Sequence, residues 1–289
     1  MIQRLGSKLV KHSETNLGDM LDTRIPFLYE SSPKSNMGDI KGRTQNTIKV
    51  ATWNVWGAGS GSKYGGIDSN IRIRDLQERL LNAKLDFCGM QECYFNTQSP
   101  VSKLVIYPFN TAFHGVVEPF SDGKIALDFD YGNVALSGGN VVSNTNKVFT
   151  TGKPQPGHTD KEERGYTRTV SEVNGVRFCV YNTHLSYEPT RYPAQMQELC
   201  DAILGDQEQR IILMGDFNHD NLALFKPLTD AGFIIGNNKE FNTNNTEAGG
   251  TWYIDNIVYK GFRAIERNIQ ECSKKLADHK MFYVTLEAV

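Results

Sequence analysis

The sequence lacks an excess of basic residues, a paired-cysteine motif and a long hydrophobic run. Its 31 lysine and arginine residues are balanced by 33 aspartate and glutamate residues, for a formal net charge of -2. This balance argues against a protein that binds nucleic acid tightly and without specificity, since such proteins usually carry a basic surface. The five cysteines form no CxxC pair, which argues against a disulfide framework and against a structural zinc site.

Membrane and export features are also absent from the sequence. No apolar run approaches the roughly 20 residues of a transmembrane helix. The first residues, MIQRLGSKLVKHSETN, contain no apolar segment typical of a secretory signal peptide. We therefore expect no transmembrane segment, and a location either in the cytoplasm or within an assembled particle such as a virion.

The chain divides into two unequal parts. Residues 1–46 are polar and interrupted by Gly, Ser, Asn and Pro, and their short apolar patches could not bury a core. We interpret them as an extended N-terminal arm that either docks on the domain, a neighbouring subunit or an assembly, or remains a loose tail. Residues 47–289 have the patterns of one large folded domain.

Apolar periodicity places alternating strands and helices along this domain. Alternation predicts a strand at 48–57, and a helical stripe follows at 71–84. Asn174-Gly175 predicts a hairpin turn within 167–185. A helix beginning near Pro193, a strand at 211–215 and a helix from about Asn221 to Ala231 follow. Further strands are predicted at 85–91, within 124–137, at 251–258 and after His279.

Polar residues of one chemical type occur at the ends or centres of six predicted strands. They are Asn54, Gln91-Glu92, His184, Asp216 with Asn218, Asp255, and Asp278-His279. A single polar strand end is usually a turn, and Asp216 alone could cap the following helix. Six such strands favour a site at which oxygen ligands bind a hard cation such as Mg²⁺ or Mn²⁺.

Seven motifs carry a resemblance to a known family. They are WNVWG, MQE, YGNVALS, NTHL, GDFN, TWYIDNI and ADH, in this order. Together they resemble the endonuclease/exonuclease/phosphatase superfamily, whose archetype is pancreatic-type deoxyribonuclease. The resemblance covers roughly residues 48–289. It implies a four-layer α/β sandwich, with two packed mixed β-sheets flanked by helices, and metal-dependent hydrolysis of phosphate esters.

The resemblance also implies a role for each matching residue. Glu92 and Asn54 would hold Mg²⁺, with Asp278 as a second acidic residue on the metal side. Asp216 would deprotonate the attacking water, and Asn218 would place the water and the phosphate.

The two histidines would act on the phosphate. His279 would contact it while Asp255 holds the other ring nitrogen, and His184 would donate a hydrogen bond from the opposite side. Asn133 would bind the phosphate or steady His184, although a turn residue explains it nearly as well. Arg168 would reach the phosphate as a substrate-binding residue, or else be a surface charge.

Three departures from the family pattern bear on the substrate. Abasic-site endonucleases have a lysine where this chain has Cys93, which argues against a dedicated DNA-repair enzyme. Ala277 replaces a small polar residue, and Asn256 replaces an aromatic one. The WNVWG and YGN forms are closer to the branch that includes sphingomyelinase-like phosphodiesterases.

Several functions therefore remain open from the sequence. The first is a divalent-metal-dependent phosphodiesterase, with DNA as the substrate and hydrolysis by in-line attack of a water activated by Asp216. Its alternative is a phosphodiesterase on a phospholipid headgroup or wall polymer. A phosphomonoesterase would require a more basic pocket. The structural alternative is a component of a particle such as a phage virion, docked through the N-terminal arm.

Overall fold

The computed structural model describes residues 46–58, 75–76, 78–80, 82–95, 112–116 and 130–289. The predicted N-terminal arm lies outside these residues, so the arm and the domain boundary at 46 remain predictions. The described residues within 75–83 are helical, as expected, and they bury Leu76 and Leu80. None of the described helices has the length and hydrophobicity that crossing a membrane requires.

The first sheet has six strands in the order β11-β12-β1-β2-β4-β3. Its strands are β1 (Thr47–Ala58), β2 (Phe87–Phe95), β3 (Ala112–Val116), β4 (Asp130–Ser137), β11 (Phe262–Gln270) and β12 (Met281–Ala288). The sheet is mixed, because β1 and β2 run parallel while the other neighbours are antiparallel. The parallel pair brings the carboxyl ends of β1 and β2 to the same edge.

The second sheet also has six strands, in the order β5-β6-β7-β8-β10-β9. Its strands are β5 (Asn140–Val148), β6 (Gly165–Val173), β7 (Val176–His184), β8 (Ile211–Asp216), β9 (Ile234–Ile235) and β10 (Asp255–Lys260). Only β7 and β8 run parallel among its pairs. A helix, α1 (Tyr192–Leu204), connects these two strands, as a parallel crossover requires.

Period-two alternation builds a core on each face of the second sheet. Phe178 and Ile212 point between the sheets, where Phe178 meets Phe87 of the first sheet at a ring-centroid distance of 6.0 Å. Their neighbours Cys179 and Leu213 face the other way and join the apolar residues of α1. The predicted α/β architecture of two packed mixed sheets with flanking helices is thus confirmed.

The boundaries of two predicted elements differ from the expectation. The helix expected at 221–231 is a 3₁₀ turn, Leu222–Phe225, followed by a short helix, α2 (Lys226–Asp230). The strand expected at 251–258 begins only at Asp255. Residues 251–254 instead lie outside the ladder, which leaves their side chains available to line a cavity. The first part of the 124–137 prediction lies outside the described residues.

Candidate active site

Strand register in the second sheet brings three of the predicted site residues side by side. His184 is the last residue of β7 and lies opposite Asp216, the last residue of β8. Asp255 is the first residue of the antiparallel strand β10 and lies opposite Asp216 on the other side. All three side chains are buried. Asp216 therefore lies between His184 and Asp255, because β7 ends and β10 begins at the level of Asp216.

Glycine and strained backbone make this convergence possible. A side chain at Gly215 would place its Cβ 2.0 Å from the carbonyl oxygen of Thr183, so only glycine permits β8 to lie this close to β7. Glu92 and Asn218 both have a positive φ of 56°. Such backbone is costly for residues other than glycine and is frequently found at functional sites.

The first sheet contributes Asn54 and Glu92 to the same cluster. Asn54 lies in β1 and borders an irregularity in its pairing with β2, and Glu92 lies in β2 at an irregularity in its pairing with β4. The Asn54 amide donates to Glu92 Oε1 at 2.8 Å and to Asp216 Oδ2 at 3.0 Å. One amide group thus joins carboxylates from both sheets.

His279 is held by carboxylates on both ring nitrogens. Its Nδ1 lies 2.8 Å from Asp255 Oδ2, and its Nε2 lies 3.6 Å from Asp216 Oδ2. The Trp53 indole N–H donates to the His279 carbonyl oxygen at 3.0 Å. Burial alone would lower the pKa of His279, but Asp255 and Asp216 outweigh it and raise this pKa to about 10. His279 is therefore protonated at neutral pH.

His184 lies on the other side of Asp216, in a different charge state. Its Nε2 is 3.5 Å from Asp216 Oδ2 and 3.0 Å from the Asn218 amide nitrogen. Burial, followed by the positive charges of Arg164 and His279, lowers the pKa of His184 well below its ordinary value. A neutral His184 accepts the Asn218 N–H on Nε2. For His184 to donate a hydrogen bond to the phosphate, as predicted, this contact with Asn218 would first have to break.

Two carboxylates of the cluster are harder to ionise than usual. Burial raises the pKa of Asp216 to about 6, against the opposing charge of His279. Burial also raises the pKa of Glu92 to about 8, with further contributions from the negative charges of Glu162 and Asp278. A cation bound beside these clustered carboxylates would favour their ionised forms.

The donor set fits a hard cation at Glu92, Asn54 and Asp278. These side chains offer oxygen ligands, as Mg²⁺ and Mn²⁺ prefer, and Glu92 accepts a hydrogen bond from Asn54 at one oxygen only among the contacts found. Asp216, Asp255 and His279 also lie close enough to hold an ion. A protonated His279 has no lone pair to offer, so we favour the first set.

Asn133 is buried close to the strand that carries His184. Its amide donates to the Gly165 carbonyl oxygen at 3.2 Å, and the Thr183 hydroxyl donates to the same oxygen at 2.9 Å. Thr183 directly precedes His184. This placement favours the steadying role over direct phosphate binding, and both remain predictions.

Arg168 is not brought to the cluster. Its guanidinium forms two hydrogen bonds to Asp206, at 2.6 and 2.9 Å, which the Tyr181 hydroxyl also contacts at 2.6 Å. Arg168 lies opposite Tyr181 in the β6–β7 pairing, and Tyr181 packs in the core beneath α1. The expectation that Arg168 binds substrate is corrected accordingly, because its donors are committed to Asp206 on the helix-covered face.

A cavity of about 520 Å³ opens beside the cluster. Part of its wall is Glu92, Asp216, Asn218, Asp278 and His279, and the remainder is residues 251–254 with His219 and Asp220. The sequence reasoning gave this second part no role. The TWYIDNI motif contained the signal, but only its aspartate was interpreted.

The chain is similar to proteins of one known family. A profile of the endonuclease/exonuclease/phosphatase family matches residues 51–279, which is more than half of the chain. A search of curated proteins found no match.

Solved structures share the fold at low sequence identity. An endonuclease/exonuclease/phosphatase from Beutenbergia cavernae superposes with a TM-score of 0.66 at 16% identity, covering 84% of this chain and 72% of that one. A mannosyl-6-phosphatase from Bacteroides thetaiotaomicron gives 0.60 at 18%, covering 84% and 99%. The human Nocturnin catalytic domain with bound sulfate gives 0.60 at 18%, covering 85% and 96%.

These structures support the fold, and the family profile spans every residue of the cluster, from Asn54 to His279. The residues that converge at Asp216 are also those of the seven motifs. The chain belongs to the endonuclease/exonuclease/phosphatase family.

Proposed function

We propose that this protein is a divalent-metal-dependent phosphodiesterase that acts as a nuclease on DNA. Members of its family are phosphoric ester hydrolases. The observation that carries the proposal is the central position of Asp216, a buried carboxylate with a pKa of about 6 between two histidines of opposite charge state. A general base is most effective when its pKa lies near the working pH.

Asp216 would remove a proton from the attacking water. The Asn218 backbone N–H donates to Asp216 Oδ1 at 2.8 Å, and the Asn54 amide donates to Oδ2. These two hydrogen bonds fix the orientation of the carboxylate, so that the water it holds approaches the phosphorus from one direction. Fixed orientation is a large part of what a hydrolase contributes to rate.

His279 would neutralise charge that develops on the phosphoryl oxygens. Its proton is kept by Asp255 and Asp216, and its ring is immobilised by Asp255. A buried, preoriented cation of this kind stabilises an anionic transition state more strongly than water does.

Glu92, Asn54 and Asp278 would hold Mg²⁺ or Mn²⁺. When bound, such an ion supplies charge neutralisation to the phosphate and its leaving oxygen. The sphingomyelinase-like and structural alternatives gain no support from the comparisons. The mannosyl-6-phosphatase shows that a protein of this fold can act on a phosphate monoester, so monoesters belong in the test.

The test is nicking of supercoiled plasmid by the purified chain, with Mg²⁺ or Mn²⁺ and with EDTA. Asp216→Asn keeps the shape of the side chain and removes its basicity. Asp230→Asn, on the exposed face of α2, is the matched control. We expect nicking that EDTA and Asp216→Asn abolish and Asp230→Asn leaves intact.

Other outcomes would revise the proposal. Hydrolysis of a sugar phosphate or of a phospholipid, with no plasmid nicking, would keep the hydrolase and replace the substrate. Nicking that survives Asp216→Asn would exclude the proposed base.

A further inference from the structure

We infer that residues 251–254, together with Asp220 and Lys239, form a subsite that takes one unpaired nucleotide base beside the scissile phosphate. This inference rests on the proposed nuclease function and names the form of the substrate: unpaired DNA, either a single strand or the locally opened strands of a supercoiled plasmid, rather than relaxed duplex. Four observations carry it, which are the position of the aromatic wall, its rigidity, the hydrogen-bonding groups near the cavity and the charge of its rim.

The wall adjoins the proposed catalytic group directly. The Trp252 ring centroid lies 5.2 Å from that of His279, at an interplanar angle of 57°. Trp252 and Tyr253 are both partly exposed and line the same cavity as Asp216 and His279. A ring that packs against Trp252 would therefore belong to the group next to the reacting phosphate.

The wall is rigid before any ligand binds. The Trp252 N–H donates to Asn242 Oδ1 at 2.8 Å, and its carbonyl oxygen accepts the Thr243 N–H at 2.9 Å. Asn242 in turn donates to the Gly250 carbonyl oxygen at 3.0 Å. A preformed aromatic surface binds a planar ring without the entropic cost of ordering a loop.

A hydrogen-bond acceptor of the cavity lining, Asp220, lies next to a donor, Lys239, which is not itself part of the lining. Asp220 lines the cavity, and its Oδ2 lies 3.0 Å from Lys239 Nζ. The two side chains are 58% and 44% exposed, so both can turn to a ligand. The Watson–Crick edge of a base also presents donors and acceptors side by side, and enzymes that bind unpaired bases combine edge contacts with aromatic stacking.

The charge of the rim argues against the alternative of a duplex. Among the described residues near the cavity, Glu92, Glu162, Asp220 and Asp278 are acidic, while the basic residues Arg164 and Lys239 are paired with Glu162 and Asp220. Duplex binding depends on several basic contacts to phosphates. Bases in a duplex are also stacked away from such a pocket, whereas single strands bind by stacking on aromatic side chains.

The first experiment measures binding without hydrolysis. Asp216→Asn protein in EDTA is titrated into a labelled oligothymidine, free and annealed to its complement, with fluorescence anisotropy as the readout. We expect tighter binding of the single strand, and a loss of about 10-fold when Trp252→Ala is added, because one base stack is removed. Trp252→Phe should lie between. Tyr187→Ala, which removes a 46% exposed aromatic outside the cavity lining, should leave binding unchanged.

The second experiment measures hydrolysis with the otherwise wild-type chain. Trp252→Ala should raise KM for the oligonucleotide about 10-fold, a larger rise than for glycerophosphocholine, a phosphodiester without a ring, and Tyr187→Ala should leave both unchanged. Equal binding of duplex and single strand, or an unchanged affinity in Trp252→Ala, would overturn the subsite while the hydrolase proposal stands. If the wild type hydrolyses no nucleic acid, the proposed nuclease function fails, and the subsite fails with it.

Discussion

Two aspartates near the ends of β8, a partly buried one and a buried one, have opposite electrostatic surroundings. Asp206 precedes the strand and is satisfied by the Arg168 guanidinium and the Tyr181 hydroxyl, which lower its pKa although burial opposes them. Asp216 ends the strand among other carboxylates, and its pKa is raised to about 6. The first arrangement stabilises the fold. The second keeps an ionisable group ready to take a proton, at a cost in stability.

The largest expected effect comes from removing the base. Asp216→Asn should lower kcat for any substrate the enzyme hydrolyses by about 1,000-fold or more, because general-base assistance contributes effects of this order. Its melting temperature should stay the same or rise, since a buried carboxylate in an unfavourable setting is replaced by a neutral amide. Kinetics and calorimetry on the same sample measure both. A lower melting temperature would mean that Asp216 is structural in the way Asp206 is.

Removing the carboxylate behind His279 should have the next largest effect. Asp255→Asn should lower kcat about 100-fold, because the ring loses the partner that fixes its orientation and its charge. An NMR titration of the metal-free protein should place the His279 pKa well below about 10. The pKa of His219, which owes nothing to His279 or Asp255, provides the internal control, and a kcat within a few-fold of wild type would contradict the assigned role.

Replacing the other aspartate, Asp206, should have the opposite effects: a loss of stability and little change in kcat. Asp206→Asn should destabilise the protein by about 2–3 kcal/mol, because it leaves the Arg168 charge without its partner in a mostly buried position. Its kcat should remain near that of the wild type. Chemical denaturation with activity assays at saturating substrate separates the two effects, and loss of activity in a fully folded Asp206→Asn sample would contradict the comparison.

The two aspartates should also respond oppositely to pH in metal-free protein. The folded pKa of Asp216 is raised to about 6, above its unfolded value of about 3.9. The stability gained from its protonation is thus fully present below about pH 3.9 and is lost as pH rises through about 6. For Asp206, whose folded pKa is lowered, the stability is present above about pH 3.9 and is lost as pH falls through the folded pKa.

Denaturation of the wild type and both asparagine variants across this range would test the signs. The wild type should lose stability relative to Asp216→Asn between pH 4 and pH 7. Its advantage over Asp206→Asn should be constant near neutrality. If the stability of the wild type relative to Asp216→Asn instead increased as pH rises, the negative charge of Asp216 would be shown to stabilise the fold.

The smallest effect is expected from Arg168. Arg168→Met should leave KM for the substrate within about twofold of wild type, because its guanidinium is bound to Asp206 and does not reach the cluster. Arg168→Lys is the milder variant and should behave alike in kinetics. A large rise in KM with unchanged kcat would restore Arg168 as a substrate-binding residue.

The sequence predicted those parts of the fold that have strong local patterns. The hairpin at Asn174-Gly175 was confirmed because both residues adopt the positive φ that this turn requires, 52° and 76°. Strands β5 and β11 were missed. β5 is largely exposed and β11 is only partly buried, so neither shows a regular alternation of apolar and polar residues, and pairing with a neighbour defines them.

The site was predictable where residues follow strand ends, and less so elsewhere. Asp216 and Asp255 meet because their strands are neighbours in the second sheet, and Asn54 reaches Asp216 from the first sheet. Arg168 was misplaced because a strand pattern does not reveal which face looks toward a distant site. The cavity wall at Trp252 was missed because these residues leave the ladder before β10 begins.

Because the Asn54 amide is hydrogen-bonded to Glu92 and to Asp216 at once, the geometry of the site depends on how the two sheets align. A slip of one sheet against the other by about an ångström would break a hydrogen bond of 3.0 Å while leaving both ladders intact. Core variants at the sheet interface should therefore lose turnover before they lose secondary structure. In this protein, activity should therefore respond to smaller changes in interior packing than the circular dichroism signal does.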